Sequence, residues 1–130
     1  MPLTVQIVTP EREVVVCDDA TLVIARGIEG EVGIMPGHAP LLIALSVGPL
    51  TLVREGDRRE VLAVDGGFLQ VSRDQVIVLA EYAVLPSEID VGRTEAEIAE
   101  LKSRLLAEAE AEDLKKRLAR AEAAYAVARM

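Results

Sequence analysis

From residue 3 to about residue 85 the chain is a series of short aliphatic runs, rich in Val and Ile, broken at regular intervals by turn-forming residues. Leu3-Thr4-Val5-Gln6-Ile7-Val8 alternates with period two, as a strand with one buried face does, and Thr9-Pro10-Glu11-Arg12 ends it in a turn. Val14-Val15-Val16 and, beyond Asp18-Asp19, residues 21–25 read as the next strands. Further strands are predicted over 41–45, 50–54, 61–64, 68–71 and 76–79, with breaks at Gly56-Asp57, Asp65-Gly66-Gly67 and Arg73-Asp74. The pattern predicts a β sandwich of about ten strands, with Gln6, Arg54 and Gln70 facing outward.

At Pro86 the pattern changes. Pro does not recur, Gly appears once more, and Ala, Glu, Leu, Lys and Arg dominate to the end. Ser87-Glu88-Ile89-Asp90 is suited to start a helix, with the Ser87 hydroxyl capping free amides and the early acids favouring the positive end of the dipole. Val91, Thr94, Ile98, Leu101 and Leu105 form one apolar stripe at steps of three and four, and Leu114, Leu118, Ala121, Tyr125 and Ala128 form another in a different phase. The phase slip across residues 108–113 points to two antiparallel helices, although no Gly or Pro there forbids a continuous rod. Mainly β followed by α is thus the predicted fold class, with residues 1–85 as the sandwich and 86–130 as a C-terminal helical hairpin. Both stripes are narrow and rich in Ala, so the hairpin alone is marginal and needs a surface to lean on.

Composition narrows the function. Hydrophobic residues make up 51% of the 130 and charged residues 28%, which describes a folded chain, yet Phe68, Tyr82 and Tyr125 are the only aromatics. The core must therefore be aliphatic, and stacking platforms for single-stranded nucleic acid are absent. A net charge of −8 also disfavours phosphate backbones, so no nucleic-acid partner is expected. No apolar run approaches the ~20 residues that span a bilayer. No direct membrane insertion is expected, and the N-terminus lacks the form of a signal peptide, which points to the cytoplasm.

Candidate chemistry is sparse. His38 is the single histidine and Cys17 the single cysteine, the latter in an apolar run where a buried thiol is expected, so no catalytic triad assembles readily. Gly27-Ile28-Glu29-Gly30-Glu31-Val32-Gly33 lacks the Gly-Lys-Ser/Thr ending of a phosphate loop and reads as a β-turn region. One His and scattered carboxylates show no metal-ligand spacing. Neither catalysis nor a resident metal or cofactor is expected.

One stretch is specific. Gly30-Glu31-Val32-Gly33-Ile34-Met35-Pro36-Gly37-His38-Ala39-Pro40-Leu41-Leu42 interleaves Gly, Pro and His in a fixed order, as a hairpin followed by a rigid loop entering an apolar strand. It is similar to the signature of the epsilon subunits of F-type ATP synthases. Gly66-Gly67-Phe68-Leu69-Gln70-Val71 followed by Val76-Ile77-Val78-Leu79-Ala80 resembles a second landmark of that family, and the order of parts agrees over essentially the whole chain. The resemblance implies a non-catalytic subunit of the central rotor stalk, bound to the gamma subunit and the c-ring, and peripheral on the cytoplasmic side of the cell membrane. It places the surface for the ring and gamma around Glu31 and His38.

The resemblance further implies that the helical segment either folds against the sandwich or extends into the catalytic head, where it impedes ATP hydrolysis. Lys115, Lys116, Arg117 and Arg120 then form a regulatory basic cluster suited to an acidic loop of the catalytic beta subunits. Some bacterial members bind ATP at the hairpin through a motif like Ile/Leu-Asp-x-x-Arg-Ala. Here Ile89, Asp90 and Arg93 match and Arg120 is placed to match one second-helix Arg, but Thr94 replaces Ala, Val84 stands where a Glu is expected, Glu100 replaces an Arg, and Ala124 falls near the other second-helix Arg. Glu100 would repel phosphate, so weak or absent ATP binding is expected. Gly92 in the first helical turns costs about 1 kcal/mol relative to Ala and loosens the base of the hairpin. The rival reading is a free-standing ligand-binding β module whose helices dimerise as a coiled coil.

Overall fold

Alternation of buried and outward side chains along β1 (Leu3–Val8) places Leu3, Val5 and Ile7 inside, each with no exposed surface. The computed structural model describes residues 1–130. It continues through β2 (Glu13–Gly27), β3 (Gly30–Ile34), β4 (Leu41–Ala44), β5 (Gly48–Arg54), β6 (Arg58–Asp65), β7 (Phe68–Ser72), β8 (Gln75–Leu79) and β9 (Tyr82–Val84). A single 3-10 turn (Pro86–Glu88) then leads to α1 (Val91–Ala107) and α2 (Glu112–Ala128).

The strands follow the order β4-β7-β8-β1-β2-β5-β6-β9, with β3 beside β2. All pairings are antiparallel except that of β1 with β8. The long β2 belongs to both layers of the sandwich: its first half pairs with β1, and its second half pairs with β5 and β3. Register shifts between Leu3 and Val5 and between Ala20 and Leu22 mark where it passes from one layer to the other. A bridge between Gly27 and Leu45 joins the layers at one end. The 19-residue core between them is aliphatic, with Leu50, Leu52, Leu62 and Leu69 among its fully buried side chains. Each such Leu stabilises the fold by about 1.5–3 kcal/mol relative to exposure.

The sandwich has nine strands, not ten. Val14-Val15-Val16 and residues 21–25 are one strand, because Asp18-Asp19 does not break the ladder. Asp19 accepts from Arg54 Nε at 2.7 Å and from Arg58 Nη2 at 2.8 Å, which neutralises it in place and holds its carboxyl below the usual range. Residues 30–34, the first four of them inside the 27–33 segment that reads as a turn region, form β3, and Tyr82-Ala83-Val84 adds the short edge strand β9.

Ser87 does not cap the first helix. Ile89 remains extended, and Asp90 is the cap of α1, its Oδ1 accepting the Arg93 amide at 3.0 Å. A turn over residues 108–111 reverses the chain, so the helices are an antiparallel hairpin rather than a rod. The hairpin leans on the sandwich through α2, which packs on β6 and β5. Along β6 the side chains divide: Leu62 and Val64 enter the sandwich core, while Ala63 meets Ala124 and Val127 of α2. The two helices pack on each other within one chain and bury Leu101 and Leu114, which the rival reading assigned to a coiled-coil dimer.

Candidate functional site

Glu31 is exposed on β3, opposite Arg26 and one pair from the Gly27 end of the ladder. His38 lies beyond the other end of β3, half-buried, with its amide donating to Met35 O at 3.1 Å and Nδ1 2.7 Å from Ala39 O. Next to it, the Gly37 amide donates to Asp74 Oδ1 at 2.7 Å, which ties the loop to the β7–β8 turn. The two residues therefore sit at opposite ends of β3, and the structure does not bring them together. Between β3 and β4 runs an open cleft of about 620 Å³, bordered by Ile28, Glu31, Val32, Leu42 and Ile43.

A second surface has no counterpart among the sequence-based expectations. Pairing register puts Leu42, Gln70, Ile77, Gln6 and Val16 in one outward row, and Ala44, Phe68, Leu79 and Val8 in the next. Leu42 is 67% exposed, Phe68 53%, Leu79 56% and Val16 62%, an apolar face with nothing on it. The signal was available: Gln70 was expected outward, and period two carries Phe68 to the same side.

The basic cluster divides. Lys115, Lys116 and Arg117 are exposed, Lys115 pairing with Glu112 at 3.3 Å. Arg120 instead turns to the sandwich, its Nε 2.8 Å from Asp65 Oδ2 and its guanidinium carbon 4.6 Å from the Tyr82 ring centre. Burial pushes the Tyr82 hydroxyl above its ordinary range, against a smaller opposing effect of Arg120.

The residues of the ATP-like motif have structural duties here: Asp90 caps α1, Ile89 packs beside Ala63, and Arg93 is exposed. Glu88, expected as an early acid of the first helix, instead lies before it and clamps the linker. Its carboxylate takes Arg12 Nη2 at 2.8 Å, Arg12 Nη1 at 2.7 Å and the Leu85 amide at 2.9 Å. The Arg12 hydrogen bond chiefly holds the Glu88 carboxyl below its ordinary range.

Cys17 is buried, which raises its thiol above the ordinary range. No group of three or more His, Cys, Asp or Glu side chains is arranged to hold a metal. No helix is long and apolar enough to cross a membrane.

Residues 2–86 match the family described as ATP synthase, Delta/Epsilon chain, beta-sandwich domain. The ATP synthase epsilon chain of Brevibacillus brevis is 51% identical over 94 residues, covering 72% of this chain and 70% of that one. That of Streptomyces coelicolor is 43% identical over 108 residues, covering 83% and 86%. Among solved structures, a chain of the Euglena gracilis mitochondrial ATP synthase (OSCP/F1/c-ring) superposes with a TM-score of 0.78 at 21% identity, covering 92% of this chain and 76% of that one. One from the Tetrahymena thermophila mitochondrial ATP synthase central stalk and c-ring gives 0.57 at 18%, covering 68% and 69%. Those two likenesses speak to the fold, whereas the family match and the identities decide membership: the chain belongs to the epsilon-chain family of F-type ATP synthases.

Proposed function

We propose that this chain is a non-catalytic subunit of the central rotor stalk, coupling the catalytic head to the proton-driven c-ring. In this reading the sandwich, residues 1–85, is the rigid unit that binds its neighbours. The observation that carries it is the bare apolar face of Leu42, Phe68, Ile77 and Leu79 on an otherwise well-packed sandwich, which fits a permanent protein partner. That partner is the gamma subunit. The ring-facing surface runs the length of β3, from the end of the cleft at Glu31 to the His38 loop, which Asp74 ties to the β7–β8 turn. Membrane association is peripheral, on the cytoplasmic side, and comes through the ring.

Residues 86–130 are the regulatory unit. Docked on β6, as here, the hairpin is withdrawn; extended along gamma, it presents Lys115, Lys116 and Arg117 to the catalytic beta subunits and restrains ATP hydrolysis. Support comes from the modest apolar contact beneath α2 and from the exposure of these three cations.

The test is to purify the native complex through a tag on the full chain and on a chain ending at Pro86. Gamma, alpha and beta should be recovered with both, and hydrolysis should be higher with the shorter chain. Recovery of a homodimer without gamma sinks the rotor reading, and equal hydrolysis sinks the inhibitory one.

A further inference from the structure

We propose that Arg120 is the latch of the hairpin, closed by Asp65 and Tyr82 of the sandwich and needing no nucleotide. The inference deepens the regulatory reading above, but the latch is a property of the chain alone and is tested apart from ATP hydrolysis.

Asp65 and Tyr82 are register partners where β6 meets β9, so the ladder presents carboxylate and ring together at a fixed spacing. Arg120 enters between them, with a charge-assisted hydrogen bond of 2.8 Å to Asp65 and its guanidinium 4.6 Å from the Tyr82 ring centre. A planar guanidinium can do both at once, which a lysine cannot. Asp65 and Arg120 side chains are 22% and 41% exposed, so the pair is only partly screened by water.

The remaining contact cannot supply much. Its buried members are Ala63, Ala124 and Val127, edged by half-buried Val61, Tyr82, Val84 and Ile89, and two of the three buried side chains are single methyl groups. On so small a base, the stem and charge of one arginine are a large share of the attachment. The surroundings agree in sign: Glu81 joins Asp65 on the sandwich side of the adjacent cleft, and Lys116 and Arg117 join Arg120 on α2. Of these cations Arg120 alone is ion-paired to the sandwich. Because α2 is the helix that packs on β6, releasing Arg120 frees α1 with it.

The closing charge is the protein's own carboxylate, so the docked state is reached without a bound anion. Opening breaks the Asp65 pair and leaves the Arg12–Glu88 clamp intact, since Glu88 is fixed to the sandwich end of the linker. The moving part then begins at Ile89-Asp90.

Hydrogen–deuterium exchange on the full chain tests this, with β1 and β2 as internal reference. Asp65→Asn and Tyr82→Leu should each raise exchange in α1 and α2 about three- to tenfold, with β1 and β2 unchanged. Arg117→Gln, which removes a cation of the same cleft that is not ion-paired to the sandwich, should change exchange in α1 and α2 far less than either. Asp65→Arg should loosen the hairpin, and adding Arg120→Asp to it should recover part of the protection. MgATP should leave wild-type α2 exchange unchanged. Wild-type exchange in both Asp65→Asn and Tyr82→Leu overturns the latch, as does equal loosening by Arg117→Gln. Protection of α2 by MgATP overturns its independence of nucleotide. A variant whose β1 and β2 also lose protection has unfolded, and the other variant then decides.

Discussion

Two glycines separate conformational strain from collision. Gly67 has φ +93° and Gly37 φ +87°, so an alanine at either pays for a left-handed backbone by about 1–2 kcal/mol. Around Gly37 an added Cβ meets nothing within 4 Å, and its cost ends there. At Gly67 the Cβ would overlap the Leu79 carbonyl oxygen and come within 2.8 Å of Ala80 Cα, both backbone atoms that cannot rotate away. Relief requires moving β7 from β8 where Phe68 pairs with Leu79, and disturbing the bond from the Leu45 amide to Gly67 O at 2.9 Å. Forced displacement in a packed region adds about 1–3 kcal/mol, bringing Gly67→Ala to about 2–5 kcal/mol in total. That is a large part of the ~5–15 kcal/mol typical of a domain. Urea unfolding monitored by circular dichroism should rank the midpoints as wild type, then Gly37→Ala, then Gly67→Ala, at similar slopes. Equal losses in the two variants would falsify the reasoning, because they would mean that the β7–β8 end yields freely.

Two further predictions concern the faces of β6 and the linker. Leu62→Ala should lower sandwich stability by about 2–5 kcal/mol, whereas Ala63→Glu puts a charge against Ala124 and Val127 and should detach the hairpin with little change in sandwich melting. Limited trypsin digestion reads the second effect as faster cleavage at Lys115, Lys116 and Arg117, and parallel melting losses in both variants would contradict the two-faced account of β6. The second prediction is a pH dependence of the Arg12–Glu88 clamp. The folded pKa of Glu88 is depressed, so its stabilising contribution is complete above the ordinary glutamate range near ~4.3 and is lost as pH falls through the lowered folded value. Carboxyl NMR titration should show the Glu88 midpoint rising in Arg12→Gln, and an unmoved midpoint would show that Arg12 is not the cause.

Much of this was legible in the sequence where one periodicity ruled. β1 has strict alternation and was read to its ends, and the aliphatic runs of β5, β6, β7 and β8 were located to within a few residues. The errors fall where a local signal was answered from far away. Asp18-Asp19 looks like a turn until Arg54 and Arg58, more than thirty positions on, supply the countercharge. Residues 30–34 are rich in Gly and have strand form because β2 offers them a ladder. Ser87 is a good cap in isolation, but Glu88 is held by Arg12 and the helix starts only at Asp90. The second face of α2 was missed because Ala124 is too small to mark a stripe, and the apolar outer face because its members are scattered over five strands.

The alanines beneath α2 bear on the proposed regulation. A hairpin that must leave its seat can be held only by a contact comparable to what a second site can supply, since a partner shifts the equilibrium by no more than its differential affinity. Leucines at Ala63, Ala124 and Val127 would bury far more area and fix the docked state. The small side chains leave little apolar surface to solvate on release, and Leu62 and Val64 of β6 belong to the sandwich core, apart from the cluster that the hairpin covers. A polar latch suits that arrangement, because Arg120 and Asp65 can exchange each other for water at modest cost on opening, whereas a buried apolar seam could not. The same chain thus combines a sandwich held by a continuous aliphatic core with an appendage whose attachment is weak by composition.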